Sequence, residues 1–361
     1  MRKILHIPYG GLSSGGVTSV ILSIVSTLHD DYKFGSIVFR EKGMREHLFE
    51  QYGSIHRVNC YYRKTRLGKF WEHLTRPIRL CYSTARICSK YHYDIIHAHN
   101  GYDMVFCLLG AKLAGVSKII AHSHNAKSPE KQRLIRRLFQ PLQRGLINCL
   151  ATERVGCSQK ACEDFFSHPH CTPIFNSIDL SRFFWKRNQH EGLKIVHVGR
   201  YDYQKNQSFI IEIAQVLRRF IPEISVNLVG FGNDEQILKD KVSKFGLDKI
   251  VAFSNGKQTD IHEAYADADI MIFPSHYEGF GIALIEAQST GCYVFASDVV
   301  PIETNVGAMT ILSLNDSAEI WAKSILEYWN SDMRPMQEKV EKEIGKFDEN
   351  IIAEQYRKLY D

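Results

Sequence analysis

The chain has 361 residues, more than one ordinary domain needs and enough for two domains that each bury a core. Its composition, 44% hydrophobic and 24% charged, is typical of a folded globular protein and argues against a disordered one. The charge is uneven: residues 1–189 hold 28 Lys and Arg against 13 Asp and Glu, a net charge of +15, whereas residues 190–361 carry −10.

The first residues, Met-Arg-Lys, lead into a short strand-like run, Ile4–Ile7, without the length or cleavage site of a signal peptide. No apolar run reaches the roughly 18 residues that span a bilayer, and the best candidate, Met104–Val116, carries Lys112. The nine cysteines show no CxxC pair and no zinc spacing. Cys157 and Cys162 are close enough in sequence to meet, but reduced thiols are the expectation. These features predict a cytoplasmic protein.

Short β-branched runs alternate with longer helical patterns along the whole chain. In the first half the predicted strands are 4–7, 35–39, 54–58, 94–97, 118–121 and 154–156, and the helices are 16–29, 66–91, 104–114 and 132–150. In the second half the strands are 194–198, 225–229, 250–253, 270–273 and 293–296, and the helices are 207–220, 235–245, 282–290 and 318–329. Such alternation predicts an α/β fold with two Rossmann-like, doubly wound parallel sheets joined by a polar linker, 181–192.

Basic residues form two clusters in the first half. Nine Lys and Arg lie between Arg57 and Lys90 against Glu72 alone. The second cluster, from Lys127 to Arg144, has apolar residues interleaved at helical spacing. A basic amphipathic helix of this kind suits an anionic membrane surface, although a solvated helix with one core face explains the pattern equally well. Nucleic acid is not an expected partner, because no nucleic-acid module signature is present.

The most specific motif follows the predicted strand 270–273. Glu278 lies in a loop and Glu286 about two turns into the next helix, while Gly279 and Gly281 let backbone approach a ligand. The first N–H groups of that helix form an anion site, and a carboxylate beside it accepts hydrogen bonds from sugar hydroxyls. The alternative is a strand-turn-helix with two solvated glutamates, but Phe280 and the two glycines serve packing poorly there.

This segment resembles the EX7E motif of the retaining glycosyltransferases of family 4, whose two Rossmann-like domains face each other across a cleft in the architecture called GT-B. Other segments resemble the same family in the same order along the chain: 15–17, 94–99, 120–125, 175–179 (with Ser177 where the family usually has Gly), 198–206 and 228–232. The resemblance implies a first domain over 1–185, completed by a helix at 347–361, that binds the acceptor. A second domain over 190–346 binds the donor.

The resemblance also implies roles for individual residues. Arg200 and Lys205 bind the donor diphosphate, which a guanidinium fork and an ammonium point charge suit. Glu286 binds the ribose and Glu278 lies near the transferred sugar. The backbone N–H groups assigned to the hexose and phosphate are those of Gly279, Phe280, Gly281, Ile282 and Ala283. The base is expected at Asn255 and Gly256.

In the first domain, the resemblance implies that Gly15 and Gly16 admit the diphosphate. This stretch is neither a GxGxxG fingerprint nor a P-loop, which argues against a dehydrogenase. His124 is the candidate polar group beside the hexose and its developing charge, with an ordinary structural histidine as the alternative.

Two further patterns bear on metals. Asp267 and Asp269 form a DxD triplet, but they end a helix and begin a strand, so capping explains them better. The pairs His97/His99 and His122/His124 each share a strand face, yet no carboxylate pattern accompanies them. We therefore expect no metal and no cofactor other than the nucleotide sugar.

Together these features predict a metal-independent, retaining transferase that moves a hexose from a nucleotide diphosphate sugar to a glycan or a polyprenyl-diphosphate-linked glycan. Capsule or exopolysaccharide synthesis at the inner membrane face is the expected setting. Without an obvious carboxylate nucleophile, front-face attack is the expected mechanism. The alternatives are a catalytically inactive nucleotide-sugar binder and a nucleotide-sugar epimerase of the same fold.

Overall fold

A computed structural model of the protein describes residues 1–8, 11–13, 15–39, 42–58, 66–124, 134–167, 170–256 and 259–361, without side-chain detail for 66–74 and 134–138. The chain forms two compact units, one of Met1–Ser177 with Glu349–Asp361 and the other of Ile178–Asp348. The division precedes the linker predicted at 181–192, because the Ile178 N–H already donates to the Phe347 carbonyl inside the second unit. None of the helices within the described residues combines the length and hydropathy needed to span a bilayer.

The first unit contains seven strands and seven helices among its described residues. Its strands are β1 (Lys3–Pro8), β2 (Lys33–Val38), β3 (Gly53–Arg57), β4 (Ile95–His99), β5 (Lys118–Ser123), β6 (Glu153–Gly156) and β7 (Thr172–Pro173). Its helices are α1 (Gly16–Leu28), α2 (Glu46–Phe49), α3 (Arg66–Tyr91), α4 (Met104–Leu113), α5 (Leu134–Leu150), α6 (Gln159–Phe166) and, from the C-terminus, α13 (Glu349–Tyr360). The strands form one parallel sheet in the order β3-β2-β1-β4-β5-β6-β7.

The two faces of this sheet differ in chemistry. One face packs apolar side chains such as Ile96 and Ile119 against Leu80 of α3 and Leu108 of α4. The opposite face carries histidines on β1, β4 and β5, and Tyr360 of α13 lies against them. Because side chains alternate along a strand, each histidine on this face follows or precedes an apolar residue of the core face.

The second unit is a six-stranded parallel sheet with helices between its strands. Its strands are β8 (Leu193–Val198), β9 (Ile224–Gly230), β10 (Val251–Asn255), β11 (Ile270–Phe273), β12 (Tyr293–Ser297) and β13 (Met309–Leu312). Its helices are α7 (Gln207–Leu217), α8 (Glu235–Lys244), α9 (Ile261–Ala266), α10 (Ile282–Ser289), α11 (Ala318–Asn330) and α12 (Gln337–Ile344), with 3₁₀ turns at Ile302–Thr304 and Gly345–Phe347. The strand order is β10-β9-β8-β11-β12-β13, so the chain reverses its direction across the sheet between β8 and β11. The predicted pair of doubly wound parallel sheets is confirmed.

The prediction that the cysteines are reduced is wrong for one pair. Cys162 of α6 and Cys171 form a disulfide, with Cα atoms 5.7 Å apart. The pairing arises because β7 joins the edge of the sheet beside β6, which brings Cys171 back to α6. Cys157, the partner considered for Cys162 from the sequence, is buried and takes no part in the disulfide.

Candidate active site

Two loops of the second unit meet where the strand order reverses. β8 and β11 are neighbours, and the chain leaves them toward opposite edges of the sheet. A crevice at such a reversal, beyond the carboxyl ends of the strands, is where open α/β sheets bind ligands. The loop after β8 carries Arg200 and Lys205, and the loop after β11 carries Glu278. The sheet topology therefore brings the predicted cations and one predicted carboxylate to the same edge.

Hydrogen bonds hold the two loops together. The Gln204 side-chain amide donates to the Tyr277 carbonyl at 3.0 Å, and the His276 N–H donates to the Gln204 carbonyl at 2.8 Å. The Asn206 side-chain amide donates to the Pro274 carbonyl at 3.2 Å. These hydrogen bonds fix the backbone of one loop against the other. The charged side chains therefore project from a rigid backbone.

Lys205 and Glu278 form an ion pair. The Lys205 Nζ donates to the Glu278 Oε2 at 2.6 Å, and the two side chains are 14% and 11% exposed. The same ammonium lies 4.3 Å from the ring centroid of Phe273, a cation–π contact that adds to its fixation. An ammonium has three N–H donors, so the bond to Glu278 leaves donors for phosphate oxygens.

Arg200 is held through its backbone and is exposed at its side chain. Its carbonyl accepts a hydrogen bond of 2.7 Å from the Gln207 side-chain amide. Its guanidinium is 60% exposed and lies 3.1 Å from the Asp202 carboxylate. An exposed ion pair of this kind contributes little to stability, so the guanidinium can turn to an anionic ligand at small cost.

His197, which the sequence analysis did not single out, supports both cations. Its Nδ1–H donates to the Ile272 carbonyl at 2.9 Å, which leaves Nε2 to accept from the Gln207 amide at 3.1 Å. Burial lowers the pKa of His197 to about 3, so the ring is neutral at pH 7. A Cβ at Gly199 would lie 2.9 Å from the His197 Nε2 and 3.2 Å from the Lys205 Cγ, so glycine makes room for the lysine stem. A histidine inside a strand, followed by glycine, was the available signal.

The glycines of the EX7E segment shape the start of α10. Gly281 is the N-cap of this helix with φ +87°, a conformation that favours glycine, and a Cβ there would lie 2.9 Å from a methyl group of Leu284. Phe280 is buried with its ring 5.5 Å from that of Phe347, so its side chain serves packing and only its backbone faces the loop chemistry. The predicted backbone N–H groups of Gly279, Phe280, Gly281, Ile282 and Ala283 therefore belong to the loop and first turn with which α10 begins.

Glu286 is the fifth residue of α10, about one turn from the start of the helix. It accepts a hydrogen bond of 3.3 Å from the Tyr265 hydroxyl on the neighbouring α9. Asn255 and Gly256, at the end of β10, lie beside β9: the Gly256 N–H donates to the Gly230 carbonyl at 3.3 Å. The ribose and base assignments of these residues stay predictions.

The DxD triplet has structural partners. Asp267 is the C-cap of α9 and accepts from the Asn188 side-chain amide at 2.6 Å. Asp269 pairs with the Arg187 guanidinium at 2.9 Å and accepts from the Lys194 N–H at 3.0 Å. These contacts tie the segment before β8 to the start of β11, which accounts for both carboxylates.

In the first unit, Gly15 and Gly16 lie at the N-terminus of α1. Gly15 is extended, with φ −99°, and a Cβ at either glycine would meet no atom of the described residues within 4 Å. Nothing among the described residues requires glycine at these two positions, and their assignment to the diphosphate stays a prediction. Arg45, which the sequence analysis missed, donates to the Ser19 hydroxyl at 2.8 Å and places a positive charge near the first turn of α1.

His124 follows β5 directly and is 7% exposed. Its backbone N–H donates to the Asn100 side-chain oxygen at 2.7 Å, and its Nε2 lies 2.8 Å from the His99 Nδ1. Its Nδ1 has no hydrogen-bond partner among the described residues. Burial lowers the pKa of His124 to about 3, so the ring offers a hydrogen bond at pH 7 and not a charge.

His124 belongs to a cluster of five buried histidines, His6, His97, His99, His122 and His124. Within it, two groups of three, His6/His97/His99 and His99/His122/His124, each have ring nitrogens within 4.8 Å of one another. The sequence analysis predicted that the two pairs share a strand face but missed His6. The register that sets His6 beside His97 joins strands about 90 residues apart in the chain and leaves no local signal.

Several residues of the predicted basic clusters and motifs are outside the described residues or lack side-chain detail. They are Arg63, Lys64, Arg66, Lys69, Asn125, Lys127, Lys131, Arg133, Arg136 and Arg137.

Sequence models of two families match the chain. Residues 14–182 match "Glycosyltransferase Family 4", and residues 181–344 match "Glycosyl transferases group 1". The two matches meet at the boundary between the units and together cover almost the whole chain.

Three curated proteins illustrate the similarity. "Putative glycosyltransferase EpsF" of Bacillus subtilis (strain 168) is 28% identical over 64% of this chain and 65% of its own length. "Capsular polysaccharide biosynthesis glycosyltransferase CapH" of Staphylococcus aureus is 24% identical over 83% of this chain and 82% of its own. The Escherichia coli "UDP-Gal:alpha-D-GlcNAc-diphosphoundecaprenol alpha-1,3-galactosyltransferase" is 26% identical over 63% of each chain. The matched region spans just under two thirds of the first and third of these proteins.

Solved structures share the fold over the full length. Anabaena Alr3699/HepE in complex with UDP-glucose superimposes with a TM-score of 0.77 over 99% of both chains at 18% sequence identity. At this identity the likeness establishes the fold, which agrees with the two parallel sheets and with the GT-B architecture.

Proposed function

Because the chain belongs to the glycosyltransferases of family 4, we propose that it transfers a hexose from a nucleotide diphosphate sugar to a hydroxyl group of a glycan or lipid-linked glycan, with retention of configuration. The observation that carries the proposal is the 2.6 Å contact of Lys205 with Glu278, beside Arg200, at the strand-order reversal of the second unit. Cationic N–H donors and a carboxylate acceptor at one sheet edge suit a sugar joined to a diphosphate.

The donor is a UDP-sugar in this proposal. Alr3699/HepE has been solved with UDP-glucose, and the name of the Escherichia coli relative specifies UDP-Gal. Lys205 keeps N–H donors for phosphate oxygens while Glu278 neutralises its charge, and Arg200 supplies the remaining cation. The backbone N–H groups at the start of α10 add an anion site next to them.

The chemical step is a front-face substitution. The acceptor hydroxyl forms a bond to the anomeric carbon as the bond from that carbon to the phosphate oxygen breaks, and the departing diphosphate takes the hydroxyl proton. Arg200 and Lys205 stabilise the charge that develops on the leaving diphosphate, which is the part of the reaction where fixed cations lower the barrier. His124 contributes a neutral polar contact to the hexose. This division of roles makes the reaction independent of a metal ion.

The first test compares donors and one cation variant. UDP-glucose, UDP-galactose, UDP-N-acetylglucosamine and GDP-mannose are screened by thermal shift, because a bound donor raises the melting temperature. The stabilising donor is then assayed with a synthetic lipid-diphosphate-linked N-acetylglucosamine, with and without EDTA. We expect Arg200→Ala to lower kcat/KM about 100-fold or more and to leave the melting temperature unchanged, since its side chain is 60% exposed. Arg219→Ala, at an exposed arginine after α7, is the matched control.

The outcomes separate the alternatives. Full activity of Arg200→Ala, loss of activity in EDTA or an inverted product anomer would each contradict the proposal. An inactive binder would shift its melting temperature with donor and transfer nothing. An epimerase would convert the donor alone into its epimer.

We also propose that the enzyme meets its acceptor at an anionic membrane surface. The adjacent helices α3, α4 and α5 expose large apolar side chains: Ile78, Tyr82, Leu109, Leu113, Phe139, Leu142 and Leu146. Basic residues Arg86, Lys90 and Lys112 are exposed on the same helices. An apolar surface with basic residues around it fits the boundary between lipid headgroups and acyl chains. The diphosphoundecaprenol acceptor in the name of the Escherichia coli relative agrees with this setting.

Vesicle flotation tests the membrane proposal. We expect binding to vesicles that contain phosphatidylglycerol, partial release by high salt because surface attraction is screened, and weaker binding of Leu142→Glu. Phe220→Glu, at an exposed apolar residue of the second unit, is the control. Equal binding of Leu142→Glu and the unaltered protein, or binding to neutral and anionic vesicles alike, would contradict this surface.

A further inference from the structure

The five histidines on one face of the first sheet form two hydrogen-bonded rows. In the first row, the His6 Nδ1 lies 2.9 Å from the His99 Nε2, and the His99 Nδ1 lies 2.8 Å from the His124 Nε2. Successive rings are tilted by only 23° and 26°, with centroids 5.2 and 5.1 Å apart. The three imidazoles therefore lie edge to edge, and two hydrogen bonds join the four inner nitrogens of the row.

The second row lies against the first. The Tyr360 hydroxyl is 2.9 Å from the His97 Nδ1, and the His97 Nε2 is 3.1 Å from the His122 Nδ1, with the two imidazoles only 11° from parallel. His97 stacks on His99 at 4.2 Å and His122 lies over His124 at 3.8 Å. The two rows contact each other through their ring faces. Among the described residues, the hydrogen bonds of the cluster connect only side chains of the same row.

This arrangement suits hydrogen bonding better than metal binding. Metal-bound imidazoles direct their lone pairs at one centre, and tetrahedral zinc holds its nitrogens at about 2.0–2.1 Å. Here neighbouring rings are close to coplanar or stacked, and their nitrogens point at one another in pairs. Burial also keeps the rings neutral: it lowers the pKa of His6 and of His124 to about 3 and the pKa of His99 well below its ordinary value.

A row of neutral imidazoles has only two proton arrangements. Each ring has one N–H and one lone pair, so a ring that accepts at one nitrogen must donate at the other. If His124 accepts at Nε2, then His99 and His6 both carry their proton on Nδ1, and the His124 Nδ1 is an N–H. In the opposite arrangement, the His124 Nδ1 is a lone pair and the His6 Nε2 carries a proton.

The ends of the row decide between the two arrangements. The His6 Nε2 and the His124 Nδ1 have no partner among the described residues. His6 is completely buried, whereas His124 is 7% exposed. A buried N–H without an acceptor is rarer in proteins than an acceptor without a donor. Each arrangement leaves one N–H without an acceptor, either at His6 or at His124, and this costs less at the residue with the greater exposure. A lone pair at His6 and an N–H at His124 are therefore favoured.

We propose that His6 and His99 are positioning residues that hold His124 as its Nδ1–H tautomer, so that His124 presents a hydrogen-bond donor to the hexose of the donor sugar. The tautomer assignment concerns the protein alone, and its use toward the hexose rests on the proposed function. Neither His6 nor His99 needs to touch the substrate, because each acts through the next ring in the row.

Nitrogen-15 NMR of histidine-labelled protein tests the proposal, since long-range proton–nitrogen correlations distinguish the two neutral tautomers. In the unaltered protein without ligand at pH 7.5, we expect His6, His99 and His124 to carry the proton on Nδ1. His99→Phe removes the donor to the His124 Nε2, and we expect His124 to shift to the Nε2–H form. His97→Phe is the matched control: it alters the same strand and an equally buried ring in the other row, and His124 should keep its Nδ1 proton.

A third variant covers the case in which the phenylalanine variants do not fold. His99→Gln can still accept from His6 and donate to His124, so it should preserve the Nδ1–H tautomer. An Nε2–H tautomer of His124 in the unaltered protein would overturn the proposal, and so would an unchanged Nδ1–H tautomer of His124 in His99→Phe. Stoichiometric binding of zinc ions that shifts the signals of all five histidines would also overturn the proposal, because it would show that the cluster is a metal centre.

The activity assay then separates this inference from the proposed function. If transfer occurs, we expect His99→Phe to lower kcat about tenfold, as the loss of one transition-state hydrogen bond does, and His99→Gln to restore most of it. If the tautomers are as proposed but no donor is turned over, the proposed function fails while the assignment of the histidine row stands.

Discussion

Lys205 and Glu278 show how an active-site charge pair can be held before substrate arrives. Both side chains are nearly buried, so each would be costly to desolvate alone. Together they neutralise each other and stay fixed, and the carboxylate restrains the ammonium in the position where a phosphate would meet it. A lysine that waited unpaired in the same place would bind an anion more strongly, but it would also destabilise the fold.

Removing both partners should therefore cost less than the sum of the costs of removing each one alone. We expect Lys205→Met and Glu278→Gln each to lower the free energy of unfolding by about 2 kcal/mol, because each leaves a nearly buried charge or donor without its partner. The double variant should lose clearly less than the sum. Urea unfolding of the four proteins at pH 7.5 measures the coupling energy.

The exposed pair Lys239–Glu235 in the same unit serves as the control for this cycle. Its side chains are 47% and 42% exposed, and its coupling should be about 0.5 kcal/mol or less. Equal coupling energies for the two pairs would contradict the role of burial at Lys205.

At the scale of single residues, the sequence indicated which residues share a sheet edge but not which of them contact one another. The resemblance to the family singled out Arg200, Lys205 and Glu278, and the fold brings them to one sheet edge, while their roles toward the donor stay predictions. That Lys205 bonds to Glu278, 73 positions away, depends on how two loops pack. His197 and His6 were missed for the same reason, since a single histidine in a strand does not reveal what lies opposite it.

Among the elements, the long and strongly patterned ones were predicted and the short ones were not. The alternation of β-branched runs with helical periods identified strands such as β5 and β11 nearly to the residue. β7 has two residues, Thr172–Pro173, too few for any period to be visible. Its place at the sheet edge is supported by the Cys162–Cys171 disulfide, which no cysteine spacing rule predicts.

The disulfide should stabilise the edge of the first sheet. It closes a short loop between α6 and β7, and by the chain-entropy relation its loss should cost about 2–3 kcal/mol of unfolding free energy. We expect Cys171→Ser to show this loss in urea unfolding of oxidised protein. Cys149→Ser, at an exposed cysteine of α5, should change little.

Peptide mapping checks the bond directly. Trypsin should release residues 161–182 as one peptide that contains both cysteines, because no Lys or Arg lies between them. Without reduction this peptide should be lighter by two hydrogen atoms and should resist alkylation. A fully alkylated peptide from protein handled without reductant would contradict the disulfide.

For the whole molecule, composition and alternation were enough to predict two parallel-sheet units. The boundary was harder, because the polar stretch after residue 180 looks like a linker, whereas the chain joins the second unit at Ile178. The return of α13 to the first unit rests on contacts far apart in sequence, such as that of Tyr32 with Asp361. Local patterns carry no information about such contacts.

The first unit buries more neutral histidines than the second. We therefore expect the first unit to lose more stability in acid than the second. The first unit contains His6, His97, His99, His122 and His124 with pKa values lowered by burial. Among the described residues of the second unit, His197 is the one fully buried histidine with a lowered pKa. An unfolded histidine takes up its proton near pH 6.5. Burial lowers the pKa of His6, His124 and His197 to about 3, and it lowers the pKa of His97, His99 and His122 well below the ordinary value. Between those values the unfolded chain binds more protons, so stability falls as the pH is lowered.

Once the pH is well below 6.5, each such histidine lowers the free energy of unfolding by about 1.4 kcal/mol for every further pH unit of acidification. Because the first unit contains more of these histidines, it should unfold at a higher pH than the second. Protein held at pH values from 7.5 to 5.0, above the range in which carboxylates titrate, is pulse-labelled with deuterium at one common pH and digested for mass spectrometry. We expect peptides from β1, β4 and β5 to gain labelling by pH 5.5 while peptides from β8 and β11 stay protected. Earlier opening of the second unit, or equal protection of both units down to pH 5.0, would show that the histidine cluster does not set the acid stability of the fold.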